Sequence, residues 1–186
     1  MVNSPEQFDL AAGPFDALAD YERRSLAHVA GAPEQVDAQG LWRGIGFRVG
    51  ARRFISGIGE INELLLMPVL TLVPGTRPWL LGVANVRGNL VPITDLNQYL
   101  YGERTQLTDR SRVLLVRQGG GATGLLVDEV LGQRNLTDEQ RVDAGDEEDE
   151  RLQRFVAENV RLGEQSWGVF DMSSLVNAND FQQAAV

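Results

Sequence analysis

The sequence predicts a mainly β protein in which two small barrel units share one hydrophobic core, with short helices and one N-terminal helix added. Three observations support this prediction. The 20 glycines cluster between short apolar runs, which is typical of all-β folds. From Leu41 onward the apolar pattern has a period of two, and the second half of the chain repeats features of the first. Barrel closure protects the edges of such short strands.

The N-terminal 40 residues are expected to form an extension with a single helix. Pro14 can start this helix, and Gly31–Pro33 can end it. The helix either packs on the barrel surface as an appendage or docks to a partner, and packing is the favoured interpretation. The apolar residues at helical spacing are Phe15, Leu18, Ala19, Leu26 and Val29.

The first strands of the β region surround a glycine turn. Ile45, Phe47 and Val49 alternate with small or charged residues, and Gly50 leads into a second strand that includes Ile55. This alternation is typical of half-buried strands. A further strand is expected through residues 58–61.

The segment Leu64–Leu70 has six large apolar residues in seven positions around Pro68. We interpret it as a loop between strands. Such a loop is either tucked into the seam between the two units or exposed as a patch for a partner. Periodicity does not distinguish these alternatives.

The central stretch, residues 79–96, predicts a tight hairpin followed by a short helix. Arg87-Gly88-Asn89 separates two apolar runs, and glycine and asparagine favour such turns. Pro92 cannot donate a ladder hydrogen bond, so its strand is expected at an edge or with a bulge. Asp95 is expected to cap the helix, which Gly102 ends.

An internal repeat links the two halves of the chain. Residues 58–61 correspond to residues 127–130, and residues 91–96 correspond to residues 167–172. We therefore expect two similar β units in tandem, each closed by an aspartate-capped helical turn. Because each unit is too small for a large core of its own, the two should bury a shared apolar layer.

The titratable residues do not predict a catalytic or metal centre. Asp95 and Asp171 occupy equivalent repeat positions, which suggests an acid–base pair, but capping explains both. The acidic run Asp146–Glu150 lacks the ligand pattern of an EF-hand. His28 is the single histidine. We therefore predict no enzyme activity, cofactor or metal.

Composition limits the classes of function. The net charge of −9 argues against general nucleic-acid binding, which needs a basic face. Cysteine is absent, so no disulfide framework is possible. The first residues do not resemble a signal peptide, and no apolar run is long enough to span a membrane. A cytoplasmic location is expected.

The run Gly82-Val83-Ala84-Asn85-Val86-Arg87-Gly88, followed by Leu90–Leu96, resembles the signature of CheW-like domains. The resemblance implies two five-stranded barrels around a common core. It divides the chain into an extension at residues 1–38, a CheW-like domain at residues 39–178 and a tail at residues 179–186. The long extension is similar to that of PilI-type adaptors in the twitching-motility pathway of type IV pili.

The resemblance also implies a function and two binding surfaces. CheW-like proteins are non-catalytic adaptors that couple the cytoplasmic tips of chemoreceptors to the regulatory domain of a CheA-type histidine kinase, at the periphery of membrane receptor arrays. By position, the receptor-facing residues are Ile61, Glu63, Gly82, Val83, Asn85, Arg87 and Gly88. The kinase-facing residues are Leu66, Met67 and Val69.

Alternatives remain at this stage. Arg87 either anchors a partner or braces its own hairpin against Glu60 or Glu63. Three alternatives to a pilus-pathway adaptor are a flagellar CheW, a free-standing kinase regulatory domain and a small OB-type nucleic-acid-binding barrel. An enzyme is possible only through an unrecognised carboxylate site.

Overall fold

The computed structural model describes residues 41–143 and 150–185. The strands are β1 Leu41–Val49, β2 Arg52–Gly57, β3 Ile61–Leu65, β4 Leu80–Val86, β5 Asn89–Asp95, β6 Arg112–Gln118, β7 Gly121–Val127, β8 Glu129–Thr137, β9 Arg141–Asp143, β10 Val156–Leu162 and β11 Gln165–Phe170. The helices are α1 Leu96–Tyr101, α2 Glu150–Gln153, α3 Met172–Asn177 and α4 Asn179–Gln182, with a 3-10 turn at Asp138–Gln140. The predicted N-terminal helix, His28 and residues 146–149 of the acidic run lie outside the described residues.

The strands form two sheets, with the orders β8-β1-β2-β11-β10-β9 and β3-β6-β7-β5-β4. The mainly β class is confirmed. The expectation of two closed five-stranded barrels is wrong. The sheets have six and five strands, and within the described residues the end strands of each sheet do not pair with each other. On the edge of β4, Thr71 and Val83 exchange two backbone hydrogen bonds of 2.8 and 2.9 Å.

The two repeats exchange halves between the sheets. Hairpin β1–β2 lies in the first sheet, whereas β3, β4 and β5 of the same repeat lie in the second. The second repeat does the reverse, with β6–β7 in the second sheet and β8, β10 and β11 in the first. The expectation of one unit per tandem repeat is therefore wrong. Each sheet contains a parallel pair, β2 with β11 or β7 with β5. Parallel neighbours cannot be joined by a tight turn, so they come from distant parts of the chain.

The two sheets share one main hydrophobic core, as expected. Phe47, Phe54 and Phe170 of the first sheet contact one another with ring centroids 5.4–6.0 Å apart. Leu114 and Leu125 of the second sheet belong to the same buried cluster. Burying a side chain of this size contributes about 1.5–3 kcal/mol, so this shared layer is a major source of stability for both sheets.

Pro92 lies inside the second sheet, because β5 is between β7 and β4. Of the two alternatives, the edge strand is therefore wrong, whereas the pairing of β5 with β4 does shift register, between Leu80 and Gly82. Pro92 faces Val83 of β4, whose backbone N–H and C=O both bond Thr71 instead of β5. The proline nitrogen consequently points toward β7. Pairing between β5 and β7 begins only at Ile93, so the missing N–H interrupts no ladder bond.

Both predicted aspartate caps are confirmed. An Asp95 side-chain oxygen accepts a hydrogen bond of 3.1 Å from the backbone N–H of Gln98 at the start of α1, and Gly102 ends this helix with a φ of 77°. Asp171 accepts the equivalent bond of 2.8 Å from Ser174 at the start of α3. These bonds satisfy N–H groups that have no partner within the helix.

Candidate partner-binding surfaces

The turn between β4 and β5 consists of Arg87 and Gly88, whose φ angles are 53° and 86°. Two positive φ angles characterise the type I′ turn, which matches the twist of a hairpin. The side-chain oxygen of Asn85 accepts a hydrogen bond of 2.8 Å from the backbone N–H of Gly88 and fixes the turn. Arg87 is the one described residue other than glycine with a positive φ. The predicted tight hairpin is confirmed.

The guanidinium of Arg87 pairs with the carboxylate of Glu63 on β3, with Nη2 and Oε1 2.6 Å apart. Glu60 has other partners, since it accepts hydrogen bonds from the Ser56 hydroxyl at 2.6 Å and the Gly57 N–H at 3.1 Å. The Arg87 side chain is nevertheless 76% exposed. An exposed pair of this kind contributes about 0–1 kcal/mol. Bracing through Glu63 therefore leaves most of the guanidinium open to a partner.

A groove of about 400 Å³ lies between two hairpin tips, that of Arg87 and that of Gly120 and Gly121. Leu90 lines this groove and is 76% exposed. Sequence reasoning missed Leu90. The alternation in β5 carried the signal, because Val91 and Ile93 are buried and Leu90 precedes them at the outward register.

The remaining residues predicted to face the receptor lie deeper. Ile61 is 8% exposed and belongs to the main core. Gly82 has a φ of 143°, and a Cβ placed there would lie 2.5 Å from the carbonyl oxygen of Thr71. Val83 is half-buried and pairs with Thr71. The structure thus brings Glu63 and the hairpin tip together at the surface, whereas the burial of Ile61 and Gly82 favours a structural role for both.

The apolar loop divides into outward and inward residues. Leu66 and Val69 are 69% and 94% exposed, while Met67 packs against the buried cluster of the second sheet. The exposed alternative therefore holds for Leu66 and Val69, whereas Met67 packs on the second sheet and not in a seam between two units. Strand β3 extends to Leu65, so the loop begins two residues later than expected. Leu72, 81% exposed, was missed, although it continues the three-residue spacing of Leu66 and Val69. We call these three residues the apolar strip.

Asp95 and Asp171, the two carboxylates that suggested catalysis, both accept hydrogen bonds that cap helices and fix nearby residues. Asp95 is 1% exposed, and beyond its cap bond it accepts hydrogen bonds from the backbone N–H and the hydroxyl of Thr105 at 2.9 and 2.7 Å. Asp171 accepts from both the N–H and the hydroxyl of Ser174. Across residues 41–143 and 150–185, no three His, Cys, Asp or Glu side chains are grouped to hold a metal ion. Nor does that part of the chain contain a helix with the length and apolarity to cross a membrane.

A two-sheet β fold with an exposed arginine hairpin and an exposed apolar strip defines a class of protein suited to binding other proteins. The chain belongs to the CheW-like domain family, which residues 43–180 match.

Similarity to curated proteins extends beyond that domain. The chain is 40% identical over 177 residues to the protein PilI of Pseudomonas aeruginosa, covering 93% of this chain and 97% of PilI. It is 31% identical over 90 residues to the protein FrzA of Myxococcus xanthus, covering 48% of this chain and 56% of FrzA.

Among solved structures, the scaffolding protein CheW of Thermoanaerobacter tengcongensis has a TM-score of 0.63 and 19% identity, covering 74% of this chain and 94% of that one. At this identity the likeness concerns the fold. It agrees with the two-sheet architecture described above.

Proposed function

We propose that this protein is a non-catalytic chemosensory adaptor that couples chemoreceptors to a CheA-type histidine kinase and thereby controls twitching motility by type IV pili. The observation that carries the proposal is the 40% identity to PilI over 93% of this chain. Similarity to the chemotaxis protein CheW of Bacillus subtilis covers a shorter stretch, 45% of this chain. The adaptor acts in the cytoplasm, at the periphery of membrane receptor arrays.

In this proposal the hairpin tip is the receptor-facing surface. Arg87 offers a planar fork of N–H donors on a rigid two-residue turn, a geometry suited to bidentate binding of carboxylates and to stacking. Glu63 orients that fork from β3. The neighbouring groove presents Leu90, so polar and apolar contacts to a receptor helix are available side by side.

The kinase-facing surface in this proposal is the apolar strip. Its three residues are 69%, 94% and 81% exposed, and burying apolar surface of this kind contributes about 25 cal/mol per Å². The hairpin tip belongs to the second sheet, and Met67 and Leu70 pack on that same sheet beneath the strip. The adaptor can therefore hold receptor and kinase in one geometry without catalysis.

A binding experiment tests the proposal directly. The purified full-length chain is titrated by calorimetry with the regulatory domain of a pilus-type CheA homologue and, in parallel, with that of a flagellar CheA. Selective binding to the pilus-type domain is the expected result. Equal binding to both would retain the adaptor and remove the pilus assignment, and binding to neither would contradict the adaptor function itself.

A further inference from the structure

The connection between β3 and β4, residues 66–79, carries the apolar strip. Its last residue, Trp79, accepts a backbone bond of 2.8 Å from the N–H of Asp95 in β5, and before that the connection is tied to the fold at two places. The first is the two-bond bridge between Thr71 and Val83. The second involves the C-terminal part of the chain: the backbone N–H of Arg77 donates to the carbonyl oxygen of Ala184 at 2.8 Å, and Thr76 pairs with Ala185 as an antiparallel bridge. We call residues 179–185 the C-terminal clip.

The clip is anchored by an aromatic contact to the end of the connection. Phe181 of the clip is 4% exposed, and its ring stacks on Trp79 with the centroids 5.6 Å apart and the planes at 7°. The ring of Tyr99 meets Phe181 edge-on, with centroids 5.2 Å apart. Aromatic pairs in these geometries are stabilising beyond their buried area. The Tyr99 ring also meets Trp79 edge-on, with centroids 5.5 Å apart, so Trp79 contacts both α1 and the clip.

A polar contact holds the first turn of the clip. The carboxylate of Asp180 accepts two hydrogen bonds from the Arg154 guanidinium, of 2.9 and 3.1 Å, and one from the Tyr99 hydroxyl at 3.1 Å. The bond from Arg154 lowers the pKa of Asp180. Burial, followed by the charge of Asp180, raises the pKa of Tyr99. Asp180 is therefore ionised and Tyr99 is neutral at physiological pH, the states that this arrangement requires.

We infer that the C-terminal clip is a positioning element for the apolar strip: by holding Thr76 and Arg77, it fixes the part of the connection that follows the strip and preorganises the strip for a protein partner. The inference rests on the proposed function for the identity of that partner. Between the two tethers lie only residues 72–75, among them Leu72 and Gly75. Trp79 keeps its bond to Asp95 when the clip is released, so the segment without a backbone tether to the sheets grows from residues 72–75 to residues 72–78. More chain must therefore be ordered when a partner binds.

The first test is independent of any partner. A variant that ends at Gln182 loses Ala184 and Ala185 but keeps Phe181, and amide hydrogen exchange is compared with that of the full chain. Loss of protection at Arg77 follows directly from the lost bond. The inference further requires faster exchange at Thr71 and Val83, because the clip's bonds to Thr76 and Arg77 stabilise the bridge between Thr71 and Val83. Unchanged exchange at Thr71 and Val83 would overturn it. Gln183→Ala is the matched control, since it keeps every backbone bond of the clip.

The second test measures partner binding. With the variant that ends at Gln182, we expect affinity for the kinase regulatory domain to fall about five- to tenfold, the scale of ordering a few additional residues, with receptor binding through the hairpin tip unchanged. Equal loss for both partners, or loss for neither, would overturn the positioning role. If the full chain itself binds no kinase domain, the proposed function fails while hydrogen exchange still decides the inference.

A third comparison separates positioning from general stability. Phe181→Ala removes the ring that stacks on Trp79 and is expected to loosen the connection, whereas Phe181→Leu retains apolar volume there. Recovery of kinase affinity by Phe181→Leu, at equal receptor affinity, is the expected pattern. Parallel loss of both affinities in Phe181→Ala and in Phe181→Leu would show that Phe181 acts only through the stability of the core and would contradict the inference.

Discussion

Arg87 combines a constrained backbone with an open side chain. Its φ of 53° lies in the left-handed region, which is unfavourable for residues with a Cβ by about 1–2 kcal/mol. Glycine at this position would remove that cost, yet the chain has an arginine, whose side chain pairs with Glu63 on β3 at the opposite edge of the second sheet. A residue retained at an unfavourable φ with most of its side chain exposed is consistent with binding rather than with stability.

Substitution of Arg87 tests this interpretation. Arg87→Ala loses a surface ion pair worth at most about 1 kcal/mol, so the fold should remain intact while receptor binding weakens. The control is Arg110→Ala, which removes another exposed arginine, on the loop before β6, that pairs with Glu129 at 3.5 Å. Affinity for a receptor tip fragment and the urea midpoint are measured for both variants. The role fails if Arg87→Ala binds normally or unfolds, or if Arg110→Ala loses as much affinity.

Gly82 has a different role, because it allows the connection to approach β4. Gly82→Ala combines a φ of 143° with a Cβ only 2.5 Å from the carbonyl oxygen of Thr71, so the bridge between Thr71 and Val83 must move. We expect a loss of about 1–3 kcal/mol in the free energy of unfolding, measured by urea denaturation. Gly59→Ala is the matched control, since a Cβ there meets nothing within 4 Å. Equal stabilities of the two variants would contradict this role for Gly82.

At the scale of elements, the two aspartate caps look equivalent in sequence but differ in burial. Asp95 is 1% exposed and also bonds Thr105, whereas Asp171 is exposed and bonds Ser174 beside it. Asp171→Ala should cost about 1 kcal/mol, the usual value of an N-cap. Asp95→Ala should cost about 1–3 kcal/mol more, because the buried groups of Thr105 lose their partner. Thermal and urea unfolding check the order, and a larger loss in Asp171→Ala would contradict it.

Local features of these elements could be predicted from the sequence, since the signals are local. The turn at Arg87-Gly88 and the caps at Asp95 and Asp171 depend on residues within four positions of one another. The placement of Pro92 could not be predicted in this way, because it depends on the bond between Val83 and Thr71, which lies in a different segment. Alternation in β5 could have indicated that Leu90 points outward. It could not have indicated that Gly120 and Gly121 lie across the groove from Leu90.

At the scale of the whole molecule, the repeat was visible in sequence but the exchange of halves was not. Two hairpins and one further strand recur in each half, and this pattern reads equally well as two separate units. The parallel strand pairs distinguish exchanged halves from two separate units, because they join strands of different repeats. Examples are Gly168 with Phe54 and Ile93 with Gly124. Parallel pairing carries no turn signal, because no short loop joins the partners.

The exchange of halves predicts how the molecule responds to division. A cut after Leu107, which is 59% exposed between α1 and β6, gives a first fragment with β1–β5 and a second with β6–β11. The first fragment retains only hairpin β1–β2 of its first sheet, and the second retains only hairpin β6–β7 of the second sheet. Isolated hairpins are marginally stable in water, and the shared core containing Phe54 and Phe170 is split between the fragments.

We therefore expect each fragment alone to lack a cooperative unfolding transition, and an equimolar mixture to regain one. Circular dichroism during urea titration measures the transition, and size-exclusion chromatography detects the complex, with the intact chain as the reference. Two independent tandem units would behave oppositely, because each fragment would then unfold cooperatively by itself and mixing would change nothing. Cooperative folding of either fragment in isolation would thus contradict the exchanged architecture. Reassembly would show that the surfaces proposed for receptor and kinase, both on the second sheet and its connection, depend on strands from both halves of the chain.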